Sequence, residues 1–161
     1  MTINNGSVVN YQTLQNDNLS GFNSSTRPTV SVTYVREGNS WVNGNGGGDL
    51  EVNRTTNIYI TFSETMDPSS ITVNTSNTNC SGTIQVSNAD GSGDFFEDGF
   101  CEQMSSSPSA SNNNKTFLLD PSDSLTTGVV YKIRVTTGVK DGSGYSMSNN
   151  YTTPNGFGVE K

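Results

Sequence analysis

The residues best placed by type and spacing to do chemistry are Asp90-Gly91-Ser92-Gly93-Asp94-Phe95-Phe96-Glu97-Asp98. Asp90, Ser92, Asp94 and Asp98 supply oxygens at positions 1, 3, 5 and 9 of a calcium-binding loop. If calcium is a cofactor, Asp90, Asp94 and Asp98 are the expected ligands, with Ser92 or Glu97 assisting. The pattern breaks at two informative places: Phe95 stands where such a loop turns on glycine, and Cys101 stands where it closes on glutamate. A solvated acidic hairpin tip explains the same residues without any cofactor.

Nucleophilic catalysis has little to draw on. The chain contains no histidine, so Ser-His-Asp and Cys-His arrangements cannot be built. Paired carboxylates could serve glycoside hydrolysis, but the acidic residues fall in turn-rich segments with no pocket-forming pattern around them. The expectation is a chain that is not an enzyme. Trp41 lies in a Gly/Asn-rich stretch, read here as a loop. Its indole could stack on a sugar or a protein partner, or simply cover the end of a domain. Phe95, Phe96 and Phe100 crowd one segment and read as a small cluster under a disulfide rather than a binding patch.

That disulfide would join Cys80 and Cys101. Neither lies in a CxxC pair, and without histidine a zinc site would need carboxylates at spacings the sequence lacks. The alternative is two buried thiols in a reducing compartment; the composition favours the bond and an oxidising one. With 8 basic against 15 acidic residues and a net charge of −7, the surface suits neither nucleic acid nor an anionic membrane. No run approaches the ~18 apolar residues of a membrane helix. The opening MTINNGS has neither a basic nor an apolar signal region, so export would rely on a signal or anchor outside this chain.

Hydrophobic residues make up 30% of the 161 and charged ones 14%. Ser, Thr and Asn make up most of the remainder, and they favour turns and strands over helix interiors. So thin a core suits two packed sheets. Apolar residues alternate accordingly: Val30, Val32 and Tyr34; Ile58, Ile60 and Phe62; Ile84 and Val86; Phe117 and Leu119; Tyr131, Ile133 and Val135. Each run predicts a strand with one face inward and one wet. Asp67-Pro68 predicts a capped single turn, and Asp141-Gly142-Ser143-Gly144 a tight turn. Asn43 to Asp49, with four glycines, reads as a loop tip. Leu125 to Tyr131 has the pattern of a tyrosine corner. The fold class expected is an all-β, immunoglobulin-like antiparallel β-sandwich of about seven strands.

Several stretches, in order, resemble one family. Ile58-Tyr59-Ile60-Thr61-Phe62-Ser63-Glu64-Thr65-Met66-Asp67 is similar to the "I-x-I-x-F-S-E-x-M-D" of bacterial Ig-like domains of the SbsA type (Big-5). Lys115 to Pro121, then Leu125, Gly128 and Tyr131, then Val139 to Gly144, then Tyr151 to Thr153, fit the family's later strands and turns. The resemblance runs from about Pro28 to Phe157. The Cys80–Cys101 segment looks like a subgroup found in spirochaete surface proteins. It implies a repeated module of secreted, surface-layer or adhesin-like proteins, without catalytic residues. The chain departs from the family pattern between Tyr34 and Asn57 and again at Asp90 to Asp98, both longer than expected.

The domain organisation expected is an N-terminal extension, or the tail of a preceding module, over 1–27 and the sandwich over 28–161. Gly21-Phe22 echoes Gly156-Phe157, as a preceding element would; alternatively Ser7 to Leu14 supplies an extra strand to its own sheet or a neighbour's. Sequons at Asn23, Asn53, Asn74, Asn79, Asn114 and Asn150 arise by chance in so Asn-rich a chain. The expected function is a structural, spacer or adhesive module at the cell surface or outside the cell. Its partners would be neighbouring Ig-like modules or its own copies, with no nucleic acid and no membrane insertion. The alternatives are a module binding a surface glycan or host protein through the Trp41 and Asp90–Cys101 loops, and a filament or array subunit assembled by N-terminal strand donation.

Overall fold

A computed structural model describes residues 26–160 apart from 38–39 and 46, with the backbone alone for 32, 34–37, 40–42 and 47–51. The proposed extension up to residue 25, including the Ser7–Leu14 strand and Gly21-Phe22, lies outside the described residues.

Ten strands form two sheets among the described residues. The first sheet is built from β1 (Val30–Glu37), β2 (Ser40–Asn43), β4 (Ile58–Phe62), β6 (Ser109–Ser111) and β7 (Thr116–Leu119), in the order β2-β1-β4-β7-β6. The second has β3 (Gly47–Val52), β10 (Phe157–Val159), β8 (Val130–Val135) and β5 (Ile84–Asn88) in that order, with β9 (Tyr151–Thr152) also on β8. All pairs are antiparallel except β3 with β10, which is parallel. Two of the strands beyond the expected seven come from the long stretch after Tyr34, which folds into pairing segments: β2 returns along β1, opposing Trp41 to Arg36. Gly47-Gly48, expected within a loop tip, open β3 instead, and Gly44-Asn45 turn.

Alternation governs the inner faces. Ile58, Ile60 and Phe62 of β4 are buried, as are Phe117 and Leu119 of β7 and Tyr131, Ile133 and Val135 of β8. Phe62 meets Phe117 edge-on at 5.9 Å between centroids, and Tyr131 stacks on Phe157 at the same separation. Such pairs contribute beyond the area they bury. β1 departs from the expected pattern. A bulge between Val30 and Val32 shifts the register, so Thr33 opposes Ile60 and is buried. One extra residue in a strand reverses every face beyond it.

The expected turns form. Asp67 accepts from the Ser69 N–H at 2.9 Å and caps the single turn Pro68–Ser70. The Tyr131 hydroxyl accepts from the Thr126 N–H at 2.9 Å, closing a tyrosine corner. The chain enters at one end of the sandwich, where Thr29 and Ser63 exchange hydrogen bonds beside the end of β4. It leaves at the other: the Glu160 N–H reaches the Val52 carbonyl, and the Asn53 amide donates to the Glu160 carboxylate.

Candidate functional site

The elaborated part of the molecule is the connection from β5 to β6, which folds back over the outer face of the second sheet. Cys80 and Cys101 are disulfide-bonded, with Cα atoms 5.1 Å apart. Backbone bonds reinforce the closure: Gly99 and Cys101 N–H groups both donate to the Thr78 carbonyl, at 3.0 and 3.1 Å. The Asp98 carboxylate accepts from the Cys80 N–H at 2.9 Å. The Glu102 N–H donates to the Val86 carbonyl at 2.7 Å, tying the strap to β5.

Under the strap lie side chains expected to be wet. Ser87 is 0% exposed and Gln85 8%, so β5 is buried on both faces rather than one. Arg134 of β8 gives two hydrogen bonds to Gln85 Oε1, at 3.0 and 2.7 Å, and its guanidinium stands 4.3 Å from the Phe96 ring centroid. Lys132 Nζ sits 4.6 Å over Phe95. Stacked cations of this kind keep charge while shedding water. Phe96 takes a left-handed φ of 66° and its N–H donates to Ser87 Oγ at 2.9 Å. Phe95 and Phe96 thus cover sheet rather than disulfide. Phe100 does not join them and is 39% exposed.

Asp90 and Asp98, two of the residues expected to ligate calcium, both accept hydrogen bonds from backbone N–H groups. Asp90 Oδ1 accepts from the N–H groups of Ser92 and Asp94, at 2.7 and 2.9 Å. Asp98 faces Cys80, on the disulfide side. Among the described residues no group of three or more Cys, Asp or Glu side chains is placed to hold a metal ion. The same turn is built a second time. Asp141 Oδ1 accepts from the N–H groups of Ser143 and Tyr145, both at 2.8 Å. Gly93 and Gly144 adopt φ 92° and 93°. The shared Asp-Gly-Ser-Gly tetrapeptide is the signal that the first loop is a backbone turn, since one such turn caps itself with its own aspartate.

Trp41 stands in a strand, not in the expected loop, because the Trp41-Val42 pair suits a pleated ladder. The binding role expected of its indole falls on a side chain outside the described set. β1 approaches β3 across the sandwich, which puts β2 and β3 at one lateral edge and β5 with its strap at the other.

Among the described residues, four groups are shifted from their ordinary range. Burial raises Glu102, helped by Asp123, and raises the Tyr131 phenol against its bond from Thr126. The hydrogen bonds from Ser69 lower Asp67. Glu64 is raised by burial first, then by its contact with Asp141, against the pull of Lys115. The Glu64–Asp141 contact was not anticipated from the sequence, although both residues lie within the stretches that carry the family resemblance. A polar recess of about 200 Å³ at the exit end is lined by Arg54, Asp120, Asp123 and neighbouring hydroxyls. Among the described residues no helix is long and apolar enough to cross a membrane.

No curated protein matches the chain. Two solved structures share its fold: surface layer protein SbsC, domains 1-6, and the S-layer protein rSbsC(31-844). Each is 15% identical, covering 88% of this chain, with TM-scores of 0.51 and 0.52. The chain matches only 15% of the length of each. The profile of a family described as bacterial Ig-like domain, Big_5, matches residues 24–157, so the chain belongs to the Big_5 family of bacterial Ig-like domains.

Proposed function

We propose that this chain is a non-catalytic structural module of a secreted or cell-surface bacterial protein, acting as a spacer between neighbouring modules. The observation that carries the reading is the placement of the chain ends. Residues 27–30 enter beside the end of β4, and Glu160 leaves beside Val52 at the opposite end. A sandwich threaded from end to end holds the segments on its two sides a fixed distance apart. Tension then runs along the strands, loading many ladder bonds in shear together.

Two further features support this reading. A disulfide strap belongs to an oxidising compartment, consistent with the cell exterior. The fold is shared with domains of a surface-layer protein, and by analogy neighbouring modules or further copies are its partners. Trp41 and the strap lie at opposite lateral edges, so a glycan or host protein touching both would have to span the sandwich. That weighs for the spacer over a dedicated binding module.

Replacing the module in its parent protein by an unrelated Ig-like sandwich of similar length tests the reading. A spacer predicts unchanged labelling of intact cells by a membrane-impermeant reagent and unchanged attachment to surfaces. Retained display with lost attachment would favour the ligand-binding reading; lost assembly into arrays would favour strand donation.

A further inference from the structure

The Asp-Gly-Ser-Gly turn at Asp141 differs from its twin in one respect. Asp90 is partly exposed, whereas Asp141 is 2% exposed and its Oδ2 has no hydrogen-bond partner. Its other oxygen is already committed to two backbone N–H groups. The side chain beside it is another carboxyl, Glu64, half-buried at the end of β4. A buried carboxylate oxygen without a donor costs several kcal/mol in general, and two carboxylates in contact disfavour each other's charge, so one of them holds its proton more tightly.

We propose that Glu64 and Asp141 share one proton, Glu64 donating it to Asp141 Oδ2, and that this bond clamps the two sheets together at the end where the chain enters. The backbone around it makes it a clamp. Met66 and Asp141 form an isolated bridge, the Asp67 N–H donates to the Lys140 carbonyl at 2.9 Å, and the Gly142 N–H donates to the Thr65 carbonyl at 3.0 Å. These bonds join the segment leaving β4 in one sheet to the segment leaving β8 in the other. The charged groups acting on Glu64 are Asp141 from the β8 side and Lys115 from the start of β7; Lys140 acts on Asp67 instead.

A carboxyl whose proton is held more tightly in the folded state contributes stability at low pH, and loses it as pH rises through its folded-state value. The clamp is therefore closed at acidic pH and loosens as the pH rises through the raised value of Glu64. Glu64→Gln supplies a permanent donor to Asp141, and Asp141→Asn a permanent donor to Glu64. Thermal melts of the whole chain from pH 4 to pH 9 test this. Both variants should match the parent at pH 4, melt above it at pH 8, and show a flatter pH profile. Variants that track the parent at every pH overturn the proposal. So does a rise in the parent's midpoint at pH 8 with magnesium or calcium that Glu64→Gln abolishes, since a cation would then fill the proton's place.

Discussion

Removing the strap's covalent closure by the double substitution Cys80→Ser and Cys101→Ser should destabilise the domain strongly without unfolding it. The two cysteines are separated by 21 residues, and the loop-entropy relation gives about 3 kcal/mol for a closure of that length. At roughly 2 cal/mol/K of unfolding entropy per residue, this corresponds to a fall of about 10 °C in midpoint for a domain of this size. The native fold should survive, because Gly99, Cys101, Glu102 and Asp98 hold the strap by hydrogen bonds that need no sulfur. Differential scanning calorimetry gives the midpoint, and urea unfolding followed by circular dichroism gives the denaturant slope. The slope should rise, since an uncrosslinked unfolded chain exposes more surface. Reductant should reproduce the variant's midpoint in the parent and leave the variant unmoved. A midpoint within a degree of the parent's, with an unchanged slope, would refute the reasoning: the strap would then be held by its stacked cations and backbone bonds alone.

Further outcomes rest on single contacts. Gly156 has φ 73°, and a methyl there would run into the Tyr131 carbonyl, whereas Gly144 at φ 93° faces open space. Gly144→Ala should cost about 1–2 kcal/mol of left-handed strain, and Gly156→Ala clearly more, by chemical denaturation, because β10 must shift off β8. Tyr131→Phe should cost about 1 kcal/mol for the lost corner bond, with the hydroxyl's near-ultraviolet signal lost and the fold kept. Added calcium or chelator should leave the midpoint unchanged, as Asp90 and Asp98 already serve backbone donors; a chelator-sensitive melt would require the acidic loop to rearrange.

The parts of the fold legible in the sequence are those governed by local alternation. β4, β7 and β8 each carry apolar residues at every second place, and each buries those residues. Tyr131 and Asp67 were legible for the same reason, since their partners lie within five residues. Whatever depended on distant partners was not. β3 opens on Gly47-Gly48 in a stretch that reads as a loop, and it becomes a strand by pairing with β10, more than a hundred residues later. The bulge in β1 exists only against β4, so the inward face of Thr33 could not be assigned from the order of residues alone. β5 reads as half-wet, yet its outer face is covered by a strap whose anchoring arginine comes from β8. Within the site, Asp90 illustrates the limit of a spacing argument. Its Oδ1 accepts from the N–H groups of Ser92 and Asp94, a local role that the spacing of oxygens along the chain does not reveal.

The most direct test of the end-to-end spacer is to pull single molecules by their termini in an atomic force microscope. Each module should give one cooperative rupture at substantial force, as β1 and β10 are loaded in shear at opposite ends. It also predicts that reductant lengthens the released chain by about 70 Å, from the 21-residue separation of the bridged cysteines at ~3.3–3.6 Å per residue. Gradual extension without a rupture peak would contradict a module built to carry tension, and an unchanged length in reductant would contradict the strap.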